Sequence, residues 1–306
     1  MDLFQSMSDM GHEQVLFCRD VASGYSGIIA IHSTRLGPAV GGTRFWNYAT
    51  EEEALIDALR LSRGMSYKCA IAGVPLGGGK SIILRDSKNI DREKLFRAHG
   101  RFVERFGGRY ITAEDVGTTP ADMATIALET SYVGGLEGKG GDPSPWTSLG
   151  VYRAMQASAM HRWGNDDLQG KRVAIQGCGN VGYNLAKELH SAGAKLIVSD
   201  VDSAKVERLV TELDAIGVRP DEIYANEADI FAPCALGGII NDVTLPQLKV
   251  GIVCGGANNQ LLEARHGDEL EQRGIHYVPD YVANGGGVLS GGLICSVGVE
   301  KRCAKR

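Results

Sequence analysis

Two stretches of this sequence carry residue types that could do chemistry, and both are built around glycines. Gly177-Cys178-Gly179-Asn180-Val181-Gly182 has the spacing G-x-G-x-x-G, directly follows the apolar run Arg172–Gln176, and precedes Asp200 by 23 residues counted from its first glycine. A dinucleotide needs that context: a tight turn at Gly177, close backbone approach to the pyrophosphate at Gly179, and close helix–strand packing at Gly182. The helix that follows offers its free N–H groups, those of Asn180 and Val181 included, to the phosphates. Asp200 is placed to bond the adenine ribose hydroxyls and to repel a 2′-phosphate, which predicts NAD over NADP; the nearby Lys205 works against that choice.

The second stretch, Gly77-Gly78-Gly79-Lys80-Ser81, imitates the end of a phosphate-binding P-loop. The full pattern needs a glycine five residues before Gly79; Val74 stands there, and Gly73 is one residue too early. A nucleoside triphosphate site is therefore excluded. What remains is a lysine exposed by glycines between apolar segments, where a substrate can approach a constrained amine. Lys68 and Cys69 lie just upstream, and Cys69 reads as a small buried residue rather than a reactive thiol. The seven histidines (12, 32, 99, 161, 190, 266 and 276) are scattered, and no C-x-x-C pair or cysteine–histidine cluster occurs, so no metal site is expected.

These residues need elements to position them. Glu13–Cys18 and Ser26–Ser33 read as paired strands joined at Ser23-Gly24. Thr50 with Glu53 marks a capping box, and the apolar spacing continues as a helix to about Ser62. Ser81–Leu84 is a short strand, Asp91–Phe106 a helix closed by Gly107-Gly108, Arg109–Glu114 a strand, and Thr119-Pro120 a helix start. The run from Gly134 to Pro145 reads as a linker or hinge, and a helix follows over Trp146–Arg162. From Lys171 strands and helices alternate: Arg172–Gln176, the helix Tyr183–Ser191, Lys195–Ser199, Asp229–Ala232 and Gly251–Cys254. The expected fold is α/β with two domains: an N-terminal α/β substrate domain (1–140) and a Rossmann-like doubly wound NAD-binding domain (141–290). Residues 291–306 begin a further helical segment.

Composition agrees with an enzyme of this kind. Of 306 residues 41 are glycine and 9 proline, and the glycines fall in short loops between apolar runs, which argues against low complexity. A net charge of -5 argues against nucleic acid as partner. No apolar stretch approaches the ~18–20 residues of a membrane span, no signal peptide is evident, and an odd count of seven cysteines without framework spacing points to the cytoplasm.

The segment Lys68–Thr119, with Pro75-Leu76-Gly77-Gly78-Gly79-Lys80 and Arg109-Tyr110-Ile111-Thr112-Ala113-Glu114-Asp115-Val116-Gly117-Thr118, resembles the Glu/Leu/Phe/Val dehydrogenase family. So do Leu36-Gly37-Pro38-Ala39-Val40-Gly41-Gly42-Thr43-Arg44, Pro143-Ser144-Pro145-Trp146-Thr147 and Ala257-Asn258-Asn259-Gln260. The resemblance implies NAD-dependent, reversible oxidative deamination of an apolar L-amino acid, of leucine type, to the 2-oxo acid and ammonia. It implies that Lys68 binds the substrate carboxylate, Lys80 is the general base that activates water, and Asp115 shuttles protons. Thr147, Asn258 and Asn259 are then expected at the nicotinamide. Val40, Gly41, Gly42, Met65, Ala113, Val288 and Gly291 are expected in or around the side-chain pocket. A homo-oligomer is expected.

Where the family normally continues with several helices after Asn284-Gly285-Gly286-Gly287, this sequence ends at Arg306, and Ser290–Ser296 is a glycine-rich, poor helix former. The expectation is lowered stability and an altered cleft, which keeps an inactive NAD-binding or subunit-interaction protein as one alternative. Gly291, where leucine-specific members carry a larger residue, keeps phenylalanine and tryptophan as the other.

Overall fold

The computed structural model describes residues 2–85, 91–136 and 142–289. The chain divides into two compact units: Met1–Gly141 with Val288–Arg306, and Asp142–Gly287. The expected linker over Gly134–Pro145 overlaps residues 137–141, and Gly291 lies beyond residue 289, so neither falls wholly within the described residues.

The first unit is a five-stranded sheet of β1 (Gln14–Asp20), β2 (Tyr25–Ser33), β3 (Ala39–Trp46), β4 (Gly77–Leu84) and β5 (Tyr110–Glu114), in the order β1-β2-β4-β3-β5. β1, β2 and β4 pair antiparallel, whereas β3 runs parallel to β4 and β5. Helix α1 (Leu3–Met10) precedes the sheet; α2 is Glu51–Ile71, α3 Arg92–Glu104 and α4 Pro120–Ala127. Because strand side chains alternate between faces, Ile28, Ala30 and Ile82 pack with Leu55 and Leu59 of α2. Ile29, Ile31, Phe45 and Ile83 pack with Leu95 and Phe96 of α3 on the opposite face.

Three of these elements differ from the sequence reading. Helix α2 continues to Ile71, not Ser62, although Gly64 costs about 1 kcal/mol in a helix interior. Burial of Cys69 and Lys68 in its last turns shows that tertiary packing overrides the local preference. Its cap is half of the expected box: Thr50 Oγ1 accepts from the Glu53 N–H at 3.1 Å, while Glu53 accepts from Ala49. Strand β4 begins at Gly77 rather than Ser81, because its glycines are close-approach positions. A Cβ on Gly79 would lie 2.7 Å from the Tyr110 ring, and one on Gly77 would collide with the Ser33 carbonyl. Ala39–Trp46, which carries a family motif but no apolar alternation, is a central strand buried along most of its length.

The second unit is a parallel sheet of β6 (Arg172–Gln176), β7 (Lys195–Ser199), β8 (Ile216–Gly217), β9 (Ile230–Pro233), β10 (Ile252–Val253) and β11 (His276–Tyr277), in the order β11-β10-β9-β6-β7-β8. Helices α5 (Ser144–Trp163), α6 (Asn180–Ser191), α7 (Ser203–Leu213) and α8 (Arg265–Gln272) accompany it. One core joins Val151 and Met155 of α5, Leu185 and Leu189 of α6, and Val173, Ile175 and Ile230 of the sheet. The chain runs outward from β6 to β8, then returns to the other side of β6 with β9. The crevice at the carboxyl ends of β6 and β9 is thus the switch point of a doubly wound sheet, where such folds bind ligands.

Candidate active site and cofactor-binding loop

The alternation of the first sheet brings its chemistry to the α2 face. Arg44 on β3, Lys80 on β4 and Asp115, one residue past β5, converge there. Lys80 Nζ donates to Asp115 Oδ2 at 2.6 Å, and Arg44 Nε donates to the same oxygen at 2.9 Å. Arg44 Nη1 also donates to Asp57 Oδ2 of α2 at 2.7 Å, and the Tyr48 hydroxyl donates to that oxygen at 2.5 Å. The Lys80 side chain is 5% exposed and that of Asp115 17%. Asp115 is fixed through its backbone as well: its N–H donates to Thr118 Oγ1 at 2.9 Å, and that hydroxyl donates to the Thr43 carbonyl at 3.1 Å.

Burial pulls the Lys80 ammonium below its ordinary range; Asp115 opposes this and Arg44 adds to it. For Asp115, burial alone would raise the carboxyl, but Lys80 and then Arg44 outweigh it and hold the group ionised, well below the carboxylate range. This is a lysine that can lose its proton beside a carboxylate that two cations hold ionised. Lys68, buried in the last turns of α2, is in the same unit.

The opposite face of the same strands carries a buried polar clasp. His99 of α3 hydrogen-bonds the Tyr25 hydroxyl through Nδ1 (2.9 Å) and Thr43 Oγ1 through Nε2 (3.0 Å). Thr43 Oγ1 in turn bonds Ser81 Oγ at 2.7 Å and Thr112 Oγ1. Tyr110 donates to the Gly41 carbonyl at 2.7 Å. Thr43 precedes Arg44 and Ser81 follows Lys80, so the clasp fixes the register of the strands that carry the charged groups.

Of the residues expected at the side-chain pocket, Val40, Met65 and Val288 share one apolar cluster with Leu76 and Ile111. Ala113 is buried on β5. Gly41 and Gly42 are glycines for a reason the sequence reading missed. A Cβ on Gly41 would collide with the Gly79 carbonyl, and one on Gly42 would lie 2.7 Å from Asp115 Cβ. Cys69 is fully buried, and burial pushes its thiol up to about 11, as expected of an inert core residue.

In the second unit, the glycine loop has the geometry a dinucleotide needs. Gly177 has φ +98°, in the left-handed region that favours glycine. A Cβ on Gly182 would collide with the Gly177 carbonyl, while one on Gly179 meets nothing within 4 Å, leaving that side of the loop open. Helix α6 starts at Asn180, not Tyr183, so Asn180, Val181 and Gly182 form its first turn. No side chain caps that turn, and its N–H groups remain available to an anion. Asp200, just past β7, accepts from the Cys178 N–H at 2.7 Å and from the Asp202 N–H at 2.9 Å, which locks its carboxylate beside the loop. Lys205 pairs with Asp202 at 3.5 Å. The residues present therefore fit a bound NAD.

Thr147 lies in the first turn of α5, its hydroxyl bonded to the Pro143 carbonyl at 3.1 Å. The turn Asn284–Gly287 packs against it: a Cβ on Gly287 would lie 2.5 Å from Thr147 Oγ1. Asn284 Nδ2 donates to Asn258 Oδ1 at 2.8 Å, and Asn259 takes φ +52° with its N–H given to Asp280 at 2.7 Å. Asp242, His266 and Glu269 are close enough for a metal ion. However, Arg265 binds both carboxylates, and His266 Nδ1 accepts from the Glu263 N–H, so the group is an ion-pair network.

Residues 12–132 match the family model described as Glu/Leu/Phe/Val dehydrogenase, dimerisation domain, and residues 138–208 and 201–297 match Glutamate/Leucine/Phenylalanine/Valine dehydrogenase. The chain belongs to the Glu/Leu/Phe/Val dehydrogenase family. It is thereby an NAD-dependent amino-acid dehydrogenase. A leucine dehydrogenase of Geobacillus stearothermophilus is 57% identical over 95% of this chain and 80% of its own length. An L-tryptophan dehydrogenase of Nostoc punctiforme is 51% identical over 95% of this chain and 82% of its own. The crystal structure of the Nostoc punctiforme enzyme superposes with a TM-score of 0.75 at 50% identity, covering 94% of this chain and 83% of that one. A hetero-hexameric glutamate dehydrogenase of Thermus thermophilus shares the fold, with a TM-score of 0.77 at 23% identity over 95% of this chain and 77% of that one.

The sequence reading did not single out Arg44, Asp57 and Tyr48, which the geometry links to Asp115, or Asn284, which it links to Asn258. For Arg44 a signal existed: it shares a strand face with Val40 and Gly42, once Ala39–Trp46 is read as a strand.

Proposed function

We propose that this dehydrogenase oxidatively deaminates leucine and related branched-chain L-amino acids to the 2-oxo acid and ammonia, reversibly. Residues 1–140 handle the substrate, and residues 141–290 hold the cofactor through Gly177–Gly182, Asp200, Thr147, Asn258 and Asn259. The observation that carries the reading is the buried pair of Lys80 Nζ and Asp115 Oδ2, 2.6 Å apart.

The bound nicotinamide supplies the acceptor for the hydride that leaves the substrate's α-carbon. Lys68 pairs with the substrate carboxylate and fixes the α-carbon. Lys80, neutral for this step, takes a proton from the water that adds to the resulting imine carbon. Asp115 passes protons to and from the substrate nitrogen, so that ammonia departs as the carbonyl forms. A buried lysine with its pKa lowered toward the working pH suits the general base. Val40, Met65 and Val288 offer an apolar side chain an apolar surround.

The chain acts as a homo-oligomer, a reading supported by the dimerisation description of the model matching residues 12–132. Among the described residues no helix is long and apolar enough to cross a membrane. With no disulfide framework in the cysteine spacing, we place the enzyme in the cytoplasm.

The deciding experiment follows NADH formation from NAD with a panel of L-amino acids at alkaline pH, beside Lys80→Ala. Turnover of leucine, isoleucine and valine that disappears in the variant supports the reading. Preference for tryptophan or phenylalanine replaces the substrate class, and turnover retained by the variant removes Lys80 from the role of base.

A further inference from the structure

We propose that Arg44 is a positioning residue for the Lys80–Asp115 pair, clamping one oxygen of Asp115 so that the other meets the substrate, with Asp57 tempering its charge. This inference rests on the reading of Lys80 as the base.

The geometry is specific about which oxygen does what. Lys80 Nζ and Arg44 Nε both donate to Asp115 Oδ2, at 2.6 and 2.9 Å, while Oδ1 has no hydrogen-bond partner among the described residues. The guanidinium spans two carboxylates, Nε to Asp115 and Nη1 to Asp57 Oδ2 at 2.7 Å, in the fork geometry that only arginine offers. Tyr48 closes the far end with its bond to Asp57 at 2.5 Å. Arg44 is 15% exposed and Asp57 24%, so these charges act on one another through protein more than through water.

An isolated buried lysine–carboxylate pair holds its proton on the lysine, because deprotonation strands the carboxylate without a partner. Arg44 removes that penalty: when Lys80 becomes neutral, Asp115 Oδ2 still has a cation bonded to it. Arg44 also repels a charged Lys80, and Asp57 offsets part of that repulsion. The charged groups acting on Lys80 come from three elements: Asp115 after β5, Arg44 on β3 and Asp57 on α2. On β2 the residues paired with this part of β4 are apolar, Ala30 with Lys80 and Ile28 with Ile82, while His32, further along the same face, bonds Ser66 of α2. Lys68, further along α2, is present in every variant below.

Arg44 and Asp57 therefore pull the ionisation of Lys80 in opposite directions, which a merely structural role for either would not do. The test is the pH profile of kcat/KM for oxidation of the preferred amino acid, on the full chain. It compares the parent enzyme with Arg44→Gln, Arg44→Lys, Asp57→Asn and Lys80→Ala. Ionisation of the free substrate amine is common to all. Arg44→Gln is expected to move the acid limb up by about one pH unit or more, since a like charge bonded to the same carboxylate oxygen shifts a buried group by that much. Asp57→Asn is expected to move the limb down. Arg44→Lys is expected to keep the limb near its parent position while kcat falls, because an ammonium cannot bridge both carboxylates. If Arg44→Gln does not fold, Asp57→Asn and Arg44→Lys still decide the sign. A limb that stays put, or moves the same way in the two charge-removing variants, overturns the inference. Lys80→Ala separates the layers: turnover retained with an unchanged limb overturns the reading of Lys80 itself. A limb lost in that variant but unmoved by Arg44→Gln and Asp57→Asn overturns the role of Arg44 alone.

Discussion

Asn284 gives its amide nitrogen to Asn258 Oδ1 at 2.8 Å and to the Gly256 carbonyl at 3.2 Å, and so turns the Asn258 amide nitrogen away from itself. Asn284 is 2% exposed, and its own Oδ1 has no hydrogen-bond partner among the described residues. If Asn258 holds the nicotinamide, Asn284 sets the orientation of that contact. Asn284→Leu removes, at similar volume, the donor shared by Asn258 Oδ1 and the Gly256 carbonyl, a loss of about 1–3 kcal/mol. The expected result is a KM for NAD raised about fivefold or more, with a smaller change in KM for the amino acid. Asn284→Asp, which sets acceptor against acceptor, is expected to do worse. Initial-rate kinetics in both substrates check this, and equal effects on the two KM values would mark Asn284 as structural only.

Much of this arrangement was legible in the residue order, and the exceptions share a cause. The second unit is a run of local patterns: apolar strand, glycine fingerprint, helix, acid at the next strand end. Each pattern sits within about one supersecondary unit, so the cofactor loop and Asp200 could be read directly. The first unit depends on pairing between distant segments. Strand β3 carries two glycines in its middle and shows no alternation, so its strand character comes from its place between β4 and β5, and with it went the position of Arg44 beside Asp115. The same holds for Gly77–Gly79, whose β character comes from the close approach of Ser33, Ser66 and Tyr110. Lys80 and Asp115 were read from resemblance; that they share an oxygen contact with Arg44 is a consequence of sheet order, which no local pattern encodes.

Gly179 and Gly182 serve different ends, and alanine separates them. At Gly179 the added methyl meets no protein atom within 4 Å, so Gly179→Ala should fold with its thermal midpoint nearly unchanged. The methyl would stand where the pyrophosphate must approach, and NAD affinity is expected to fall about tenfold or more, the scale of ~1–3 kcal/mol typical of overpacking. Gly182→Ala drives its methyl into the Gly177 carbonyl and is expected to lower stability by a similar ~1–3 kcal/mol, whether or not NAD is present. Calorimetric titration with NAD, read beside a melting curve, distinguishes the two. Equal losses of stability would contradict the assignment.

Gly42 makes the corresponding case in the first unit. A Cβ there would lie 2.6 Å from the Glu114 carbonyl oxygen and 2.7 Å from Asp115 Cβ. The methyl of Gly42→Ala thus pushes on the residue that bonds Lys80. Displacement of reacting groups by about 1 Å is worth about a hundredfold in rate, so kcat is expected to fall by about that factor. The ranking of amino-acid substrates should be unchanged. A change of preferred substrate with kcat preserved would instead support Gly42 as a lining residue of the side-chain pocket.

The buried clasp makes stability depend on pH in a window the carboxylates leave open. Burial pulls His99 down to about 3, and burial aided by the neighbouring His32 pulls His12 down to about 4, both from an ordinary value of 6.5. Above pH 6.5 both rings are neutral folded and unfolded, and their contribution is fully present. As pH falls below 6.5 the unfolded chain takes up protons that the folded chain refuses, so stability declines. The loss from His12 is complete near pH 4 and that from His99 near pH 3. Each such group costs about 1.4 kcal/mol per pH unit within its window. Buried carboxylates such as Asp115 ionise lower still, so between pH 6.5 and 4.5 the slope belongs chiefly to histidines. His99→Gln should lower stability at pH 7, because Tyr25 and Thr43 lose a partner of the right shape. It should also flatten the slope between pH 6.5 and 4.5 by about one proton's worth. Urea unfolding at steps across that range measures both quantities, and a slope unchanged in His99→Gln would show that His99 takes up its proton with the fold intact.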